Sequence, residues 1–157
     1  MARVFRNSFE FLVVSLCFLC VFYVHKLLFH QQELTLVIAA FGASSVLAFS
    51  EGRTVNSPVK MFASSMLGAF LGVFCSRLDT LLVVKIVLAI GLCIALMSRW
   101  SIQYPPAGAI ALIPILSGSA IQELGYWFLV YPTLTGLFII YSFSKLKHYL
   151  NSIFYGQ

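Results

Sequence analysis

Thr80–Ser98 is a run of nineteen residues holding one charge, Lys85. A helix that crosses the hydrocarbon of a bilayer takes about 20 residues, so this stretch has the length and character of a membrane span. Lipid offers no partners to backbone N–H and C=O groups. Each one left unsatisfied there costs several kcal/mol, so such a segment must satisfy its backbone internally, as a helix does.

Five more apolar runs accompany it: Phe11–Phe29, Leu34–Ser50, Val59–Ser76, Pro105–Ile121 and Gly125–Ser144. With 61% hydrophobic and 10% charged residues and a mean hydropathy of +0.96, the chain lies outside the range of water-soluble domains. No polar block is large enough to fold separately, and no Ser/Gly/Pro-rich linker divides the sequence. The expectation is an all-α integral membrane protein made of one transmembrane domain over 1–157. A basic start (Arg3, Arg6) before an apolar run also fits a signal peptide, but no small-x-small cleavage site follows, so the run reads as a retained first helix.

A net charge of +5 would suggest nucleic acid in a soluble protein. Here the basic residues flank apolar runs, which is the pattern that orients membrane helices, and nucleic acid is excluded. With the N-terminus in the cytoplasm, Arg3, Arg6, Arg53, Lys60, Arg99, Lys145 and Lys147 fall inside, while Lys26, Arg77 and Lys85 fall on or near the outer side. Glu33, Asp79 and Glu123 then sit in outer loops. This balance predicts both termini in the cytoplasm of a bacterial inner membrane, with a short basic tail over 145–157. It requires an even number of crossings: six, or four if two elements only dip in and return.

Two of the six elements fall short of a full crossing and carry helix-breaking residues. Leu34–Ser50 contains Gly42 and the pair Ser44-Ser45; Pro105–Ile121 opens on Pro105-Pro106 and contains Gly108 and Pro114. Each follows one long helix and precedes another. A shift of 66 residues sets Gly42-Ala43 on Gly108-Ala109 and Val59 on Gly125. The expected arrangement is two inverted three-element repeats, about 11–76 and 80–144, with a broken or re-entrant second element in each.

A helix that starts inside a membrane protein aims its unpaired N–H groups and positive dipole end at whatever fills the break, which suits an anion. Paired short segments broken by Gly or Pro are the best sequence pointer to a midplane substrate site. The expected site therefore joins Gly42, Ala43, Ser44 and Ser45 to Tyr104, Pro105, Pro106, Ala107, Gly108 and Ala109. Its partner is a small anion, and no cofactor is called for. Gly, Ala and Ser also recur where membrane helices simply pack closely, so a non-transporting scaffold is the competing expectation. Lys85 reads either as an attractor for anions or as a residue snorkelling to the interface. Tyr104 reads as a gate or a hydroxyl donor at the pore, or as an interfacial anchor. The stripe Ser64-xxx-Gly68-xxx-Gly72 allows close helix approach within the chain or between copies in a homo-oligomer.

Nothing points to catalysis. Only five carboxylates are present, mostly in expected loops, and the three histidines at 25, 30 and 148 are scattered. Cys17-x-x-Cys20 lacks the second pair that would complete a tetrahedral metal site, so no metal is assigned.

The segments FGASSVLAFS (Phe41–Ser50) and MSRWSIQYPPAGAIAL (Met97–Leu112) resemble the HPP family of integral membrane proteins, named for a His-Pro-Pro motif leading into Ala-Gly-Ala. The resemblance runs from about Leu34 to Ser144 and implies nitrite transport. Tyr104 stands where the motif has histidine. Of a Pro-Arg-Asn motif near the third helix only Pro58 remains, and a Gly-Gly-His beyond it reads as small residues around Ala63–Ser65. The resemblance thus comes without a group titrating near neutral pH and without an arginine contact for the anion.

Overall fold

The structure, a computed structural model, describes residues 2–27, 29, 31–50 and 57–155, with side chains for 9–27, 29, 33–50 and 57–153. Arg53, His30 and the side chains of Arg3 and Arg6 lie outside the described residues. The order is α1 (Ala2–Lys26), α2 (Gln31–Phe49), α3 (Pro58–Ser76), α4 (Leu82–Arg99), α5 (Pro106–Leu116) and a short α6 (Ser119–Leu124). A 3₁₀ turn (Gly125–Leu129) and a π turn (Val130–Leu134) then lead into α7 (Thr135–Tyr155). Among the described residues there is no strand.

Among the described residues, four stretches are long and apolar enough to cross a membrane: Phe9–Lys26, Pro58–Ser76, Leu82–Arg99 and Ser119–Ile153. Glu33–Phe49 and Pro106–Leu116 are shorter apolar helices. Contacts between helix ends fix the direction of each. Lys147 of α7 bonds the Phe49 carbonyl at the end of α2 (3.0 Å) and pairs with Glu10 near the start of α1 (2.9 Å). Ser144 donates to the Ala48 carbonyl at 2.5 Å. At the opposite end, Lys85 near the start of α4 donates to the Ser76 carbonyl that closes α3 (3.1 Å), and His25 near the end of α1 reaches the Pro132 carbonyl (3.3 Å). One end, the basic end, therefore collects the start of α1, the end of α2 and the last turns of α7. The other collects the end of α1, the end of α3 and the start of α4.

The most extensive helix pairing is α3 with α5. A Cβ placed on Gly68 would overlap the Ala107 carbonyl, and one on Gly72 would overlap the Ala111 carbonyl. The constant offset, 68 to 107 and 72 to 111, means the two helices run parallel at backbone contact. Ser64, one turn earlier on the same stripe, donates to the Ile102 carbonyl. The small-residue stripe is thus consumed inside the chain. Glycine is needed there because a third atom layer would hold the helices apart, at the cost of close packing and weak Cα–H···O contacts.

Three expectations are corrected. α2 is not broken: it is one helix of 19 residues through Gly42, and Ser44 returns its hydroxyl to the Ala40 carbonyl at 3.3 Å, which keeps it compatible with a helix interior. The last element, expected as one helix from Gly125, is regular only from Thr135. Pro132 has no N–H for the ladder, and Tyr131 takes extended angles (φ −130°, ψ 120°) before a cis Tyr131–Pro132 bond. The freed Pro132 carbonyl is taken up by Thr135 (3.0 Å) and His25, and Tyr131 donates to the Val24 carbonyl (2.8 Å). Finally, the stretch read as a basic tail is mostly helical: α7 continues through Tyr155.

Candidate functional site

The segment between α4 and α5 closes on itself. The Ile102 N–H bonds the Met97 carbonyl (3.0 Å), and Ser101, at φ 55°, turns the chain. Pro105 already has helical angles (φ −52°, ψ −37°). This lets the Ala107 and Gly108 N–H groups bond the Tyr104 and Pro105 carbonyls at 3.0 and 3.1 Å. The expectation that these amides stand open to a ligand is corrected. Two prolines remove donors from the first turn, and tight i→i+3 bonds occupy the next two. The positive end of α5 remains as a field, but the Ala107 and Gly108 amides are not free to direct it.

Tyr104 is the largest fully buried side chain among the described residues, at 2% exposure, and its hydroxyl lies 3.4 Å from the Ser44 carbonyl of α2. Burial pushes that hydroxyl above the ordinary phenol range, so it stays a neutral donor. Two hollows meet at its ring. Toward the basic end is a pocket of about 110 Å³ lined by Ala48, Met61, Tyr104, Tyr141, Ser144, Lys145 and His148. Between α4 and α5 runs an apolar groove of about 440 Å³, bordered by Met97, Gln103, Tyr104, Pro105 and Gly108.

The residues singled out by sequence separate into groups. Ser44, Tyr104, Pro105 and Gly108 are brought together at or beside these hollows. Ser45 is buried next to Ser44, and its hydroxyl has no partner among the described residues. Pro106 and Ala107 are buried, Ala107 against the α3 stripe. Ala109 faces a separate apolar hollow between α2 and α5. Ala43 is exposed, and the Cβ position of Gly42 meets open space. Lys85 is half-buried on the Ser76 carbonyl, at the other end of α4 from Tyr104, so the structure does not unite it with the proline motif.

The charged lining comes from residues that sequence reasoning left out. Tyr141, Ser144, Lys145 and His148 follow an i, i+3, i+4, i+7 pattern on α7 and share one face. That spacing is visible in YSFSKLKH, but a basic run after an apolar one reads first as an orienting flank. No lining residue of the pocket is acidic. Among the described residues there is no cluster of three His, Cys, Asp or Glu able to hold a metal.

The family model described as HPP, transmembrane region, matches residues 2–153. No curated protein and no solved structure matches the chain.

Proposed function

The chain belongs to the HPP transmembrane family, and from that premise we propose that it moves a small inorganic anion, nitrite foremost, across the membrane past Tyr104 and the opening turn of α5. The observation that carries this reading is the position of Tyr104: a buried, neutral hydroxyl between a pocket with a basic wall and a groove along α4 and α5. The basic end, with Lys60, Arg99, Lys145 and Lys147, faces the cytoplasm in this reading, by the charge rule for short loops. Lys85 then stands near the outer mouth, where its charge attracts anions while it caps α3.

Two broken helices at matching places in two inverted halves would point to a midplane site. With α2 continuous, the reading leans instead on α5 alone and on the basic face of α7. The scaffold alternative is weakened by the α3 stripe, which is spent against α5 and so offers no free face to a partner.

Purified protein in liposomes that contain a pH-insensitive nitrite reporter tests the proposal. Nitrite entry should exceed that of empty liposomes and be lost in Gly108→Leu, whose side chain enters the groove where a Cβ meets nothing within 4 Å. Entry equal to empty liposomes, from correctly inserted protein, would overturn it.

A further inference from the structure

We propose that the pocket at the basic end is a binding station for a small free anion, held by Lys145, His148 and Tyr141 of α7. The proposal rests on the transport reading for its role but stands on its own geometry. A hollow of about 110 Å³ has room for several water-sized groups, which suits an ion of three or four atoms with a partial hydration shell.

The polar groups around the pocket differ in what they have left to offer. Ser144 spends its proton on the Ala48 carbonyl and Tyr104 directs its own at the Ser44 carbonyl. The buried ammonium of Lys147, on the far side of the same helix turn, is committed to Glu10 and the Phe49 carbonyl. These bonds also matter electrostatically. The last carbonyls of α2 form the negative end of a helix and would repel an anion, but two of them are capped by a hydroxyl and a cation. What remains is one-sided. The ammonium of Lys145 lies 5.6 Å from the centre of the Tyr141 ring, with no ion pair among the described residues. The Tyr141 hydroxyl and both ring nitrogens of His148 likewise have no hydrogen-bond partner among them. Three donors from successive turns of one helix thus converge on a pocket without an acidic wall. An ammonium, an imidazole and a phenol all donate to anions, and an oxoanion takes several such bonds at once.

Lys145 and His148 are exposed on the pocket's open side, so the ion would arrive from the water at this end with Tyr104 as the floor beneath it. A lipid phosphate carries the same chemistry. The small volume favours the free ion, and the experiment separates the two.

Detergent-purified full-length protein is titrated with sodium nitrite while the imidazole C–H resonances are followed by NMR. With three histidines in the chain, His148 is assigned by His148→Gln. The expected result is a saturable shift of the His148 signal that sodium gluconate, too bulky for the pocket, does not produce. Lys145→Gln should weaken the apparent Kd at least tenfold. Arg99→Gln, which removes a charge without lining the pocket, should change it less than twofold. A linear shift shared with gluconate, or saturation unchanged by Lys145→Gln, would overturn the proposal. So would displacement of nitrite by micromolar short-chain phosphatidylglycerol, which would assign the pocket to a lipid headgroup. Flux in liposomes separates this claim from the transport reading. Saturable binding without flux would sustain the pocket and sink transport, whereas flux without a His148 response would sustain transport and sink the pocket.

Discussion

Gly68→Ala and Gly72→Ala probe the contact around which the bundle is organised. The added Cβ at Gly72 would stand 2.9 Å from the Ala111 carbonyl carbon and 3.0 Å from its Cα, and at Gly68 3.1 Å from the Ala107 carbonyl carbon. Carbon atoms rest at about 3.5–4.0 Å, and both obstacles are backbone, so relief requires α5 as a whole to back away by about 1 Å. A gap of that size forfeits about a quarter to a half of each dispersion contact across the seam, and it stretches the Ser64 bond to Ile102. Set against this is the gain of about 0.5–1 kcal/mol from replacing a helical glycine by alanine. Each single variant should lose about 2 kcal/mol, within the usual range for overpacking. The double variant should lose about 3 kcal/mol rather than the sum, because one displacement of α5 serves both sites. Gly91→Ala, where a Cβ meets nothing within 4 Å, should be neutral or slightly stabilising. Reversible unfolding in mixed SDS micelles, followed by far-UV circular dichroism, gives these values. Singles indistinguishable from Gly91→Ala would refute the backbone contact, and full additivity would refute the shared displacement.

Glu10→Gln should cost about 2 kcal/mol, because it strands the Lys147 ammonium, whose side chain is 4% exposed; the loss stays below the 3–5 kcal/mol of a fully buried pair since Glu10 is 31% exposed. Adding Lys147→Met to it should recover part of that loss, and a double variant as unstable as the sum of the singles would mean that the pair is uncoupled. Lys85→Ala should remove about 0.5–1 kcal/mol through its lost bond to the Ser76 carbonyl and lower nitrite entry severalfold. Unchanged entry would leave Lys85 as a cap on α3 and nothing more.

Much of the architecture is legible because membrane helices announce themselves by length and apolarity. The run Thr80–Ser98 became α4 at Leu82–Arg99, and Val59–Ser76 became α3 at Pro58–Ser76. Where reading failed, local composition was compatible with two backbones. Gly42 and Ser44-Ser45 suit a break, yet a serine that bonds its own preceding turn sits equally well within a helix, and α2 took that course. Pro132 carries the opposite signal, since a proline inside a helix removes a bond and collides with the preceding turn, but it sits within an apolar run whose length and composition suit a single helix. The prolines opening α5 did mark a helix start, but their chemistry consumes donors rather than exposing them. The α3 stripe announced a close approach without naming α5 as the partner, since small residues specify distance and not identity. The basic face of α7 was hidden by its resemblance to an orienting flank, and only the contacts of Ser144 and Lys147 with α2 turn it toward a pocket.

The central claim is that water and a small anion reach Tyr104 from the basic end of the bundle. In a variant with Cys17, Cys20, Cys75 and Cys93 replaced by alanine, single cysteines are placed at Ser144, in the pocket wall, and at Gly108, in the groove beyond Tyr104. Their reaction with a membrane-impermeant thiol reagent in sealed membrane vesicles is then timed. The account predicts that both positions react, that Ser144→Cys reacts faster from the face carrying the basic end, and that nitrite slows both. Inert cysteines at both positions in correctly inserted protein would mean that the bundle is dry around Tyr104, and would contradict it.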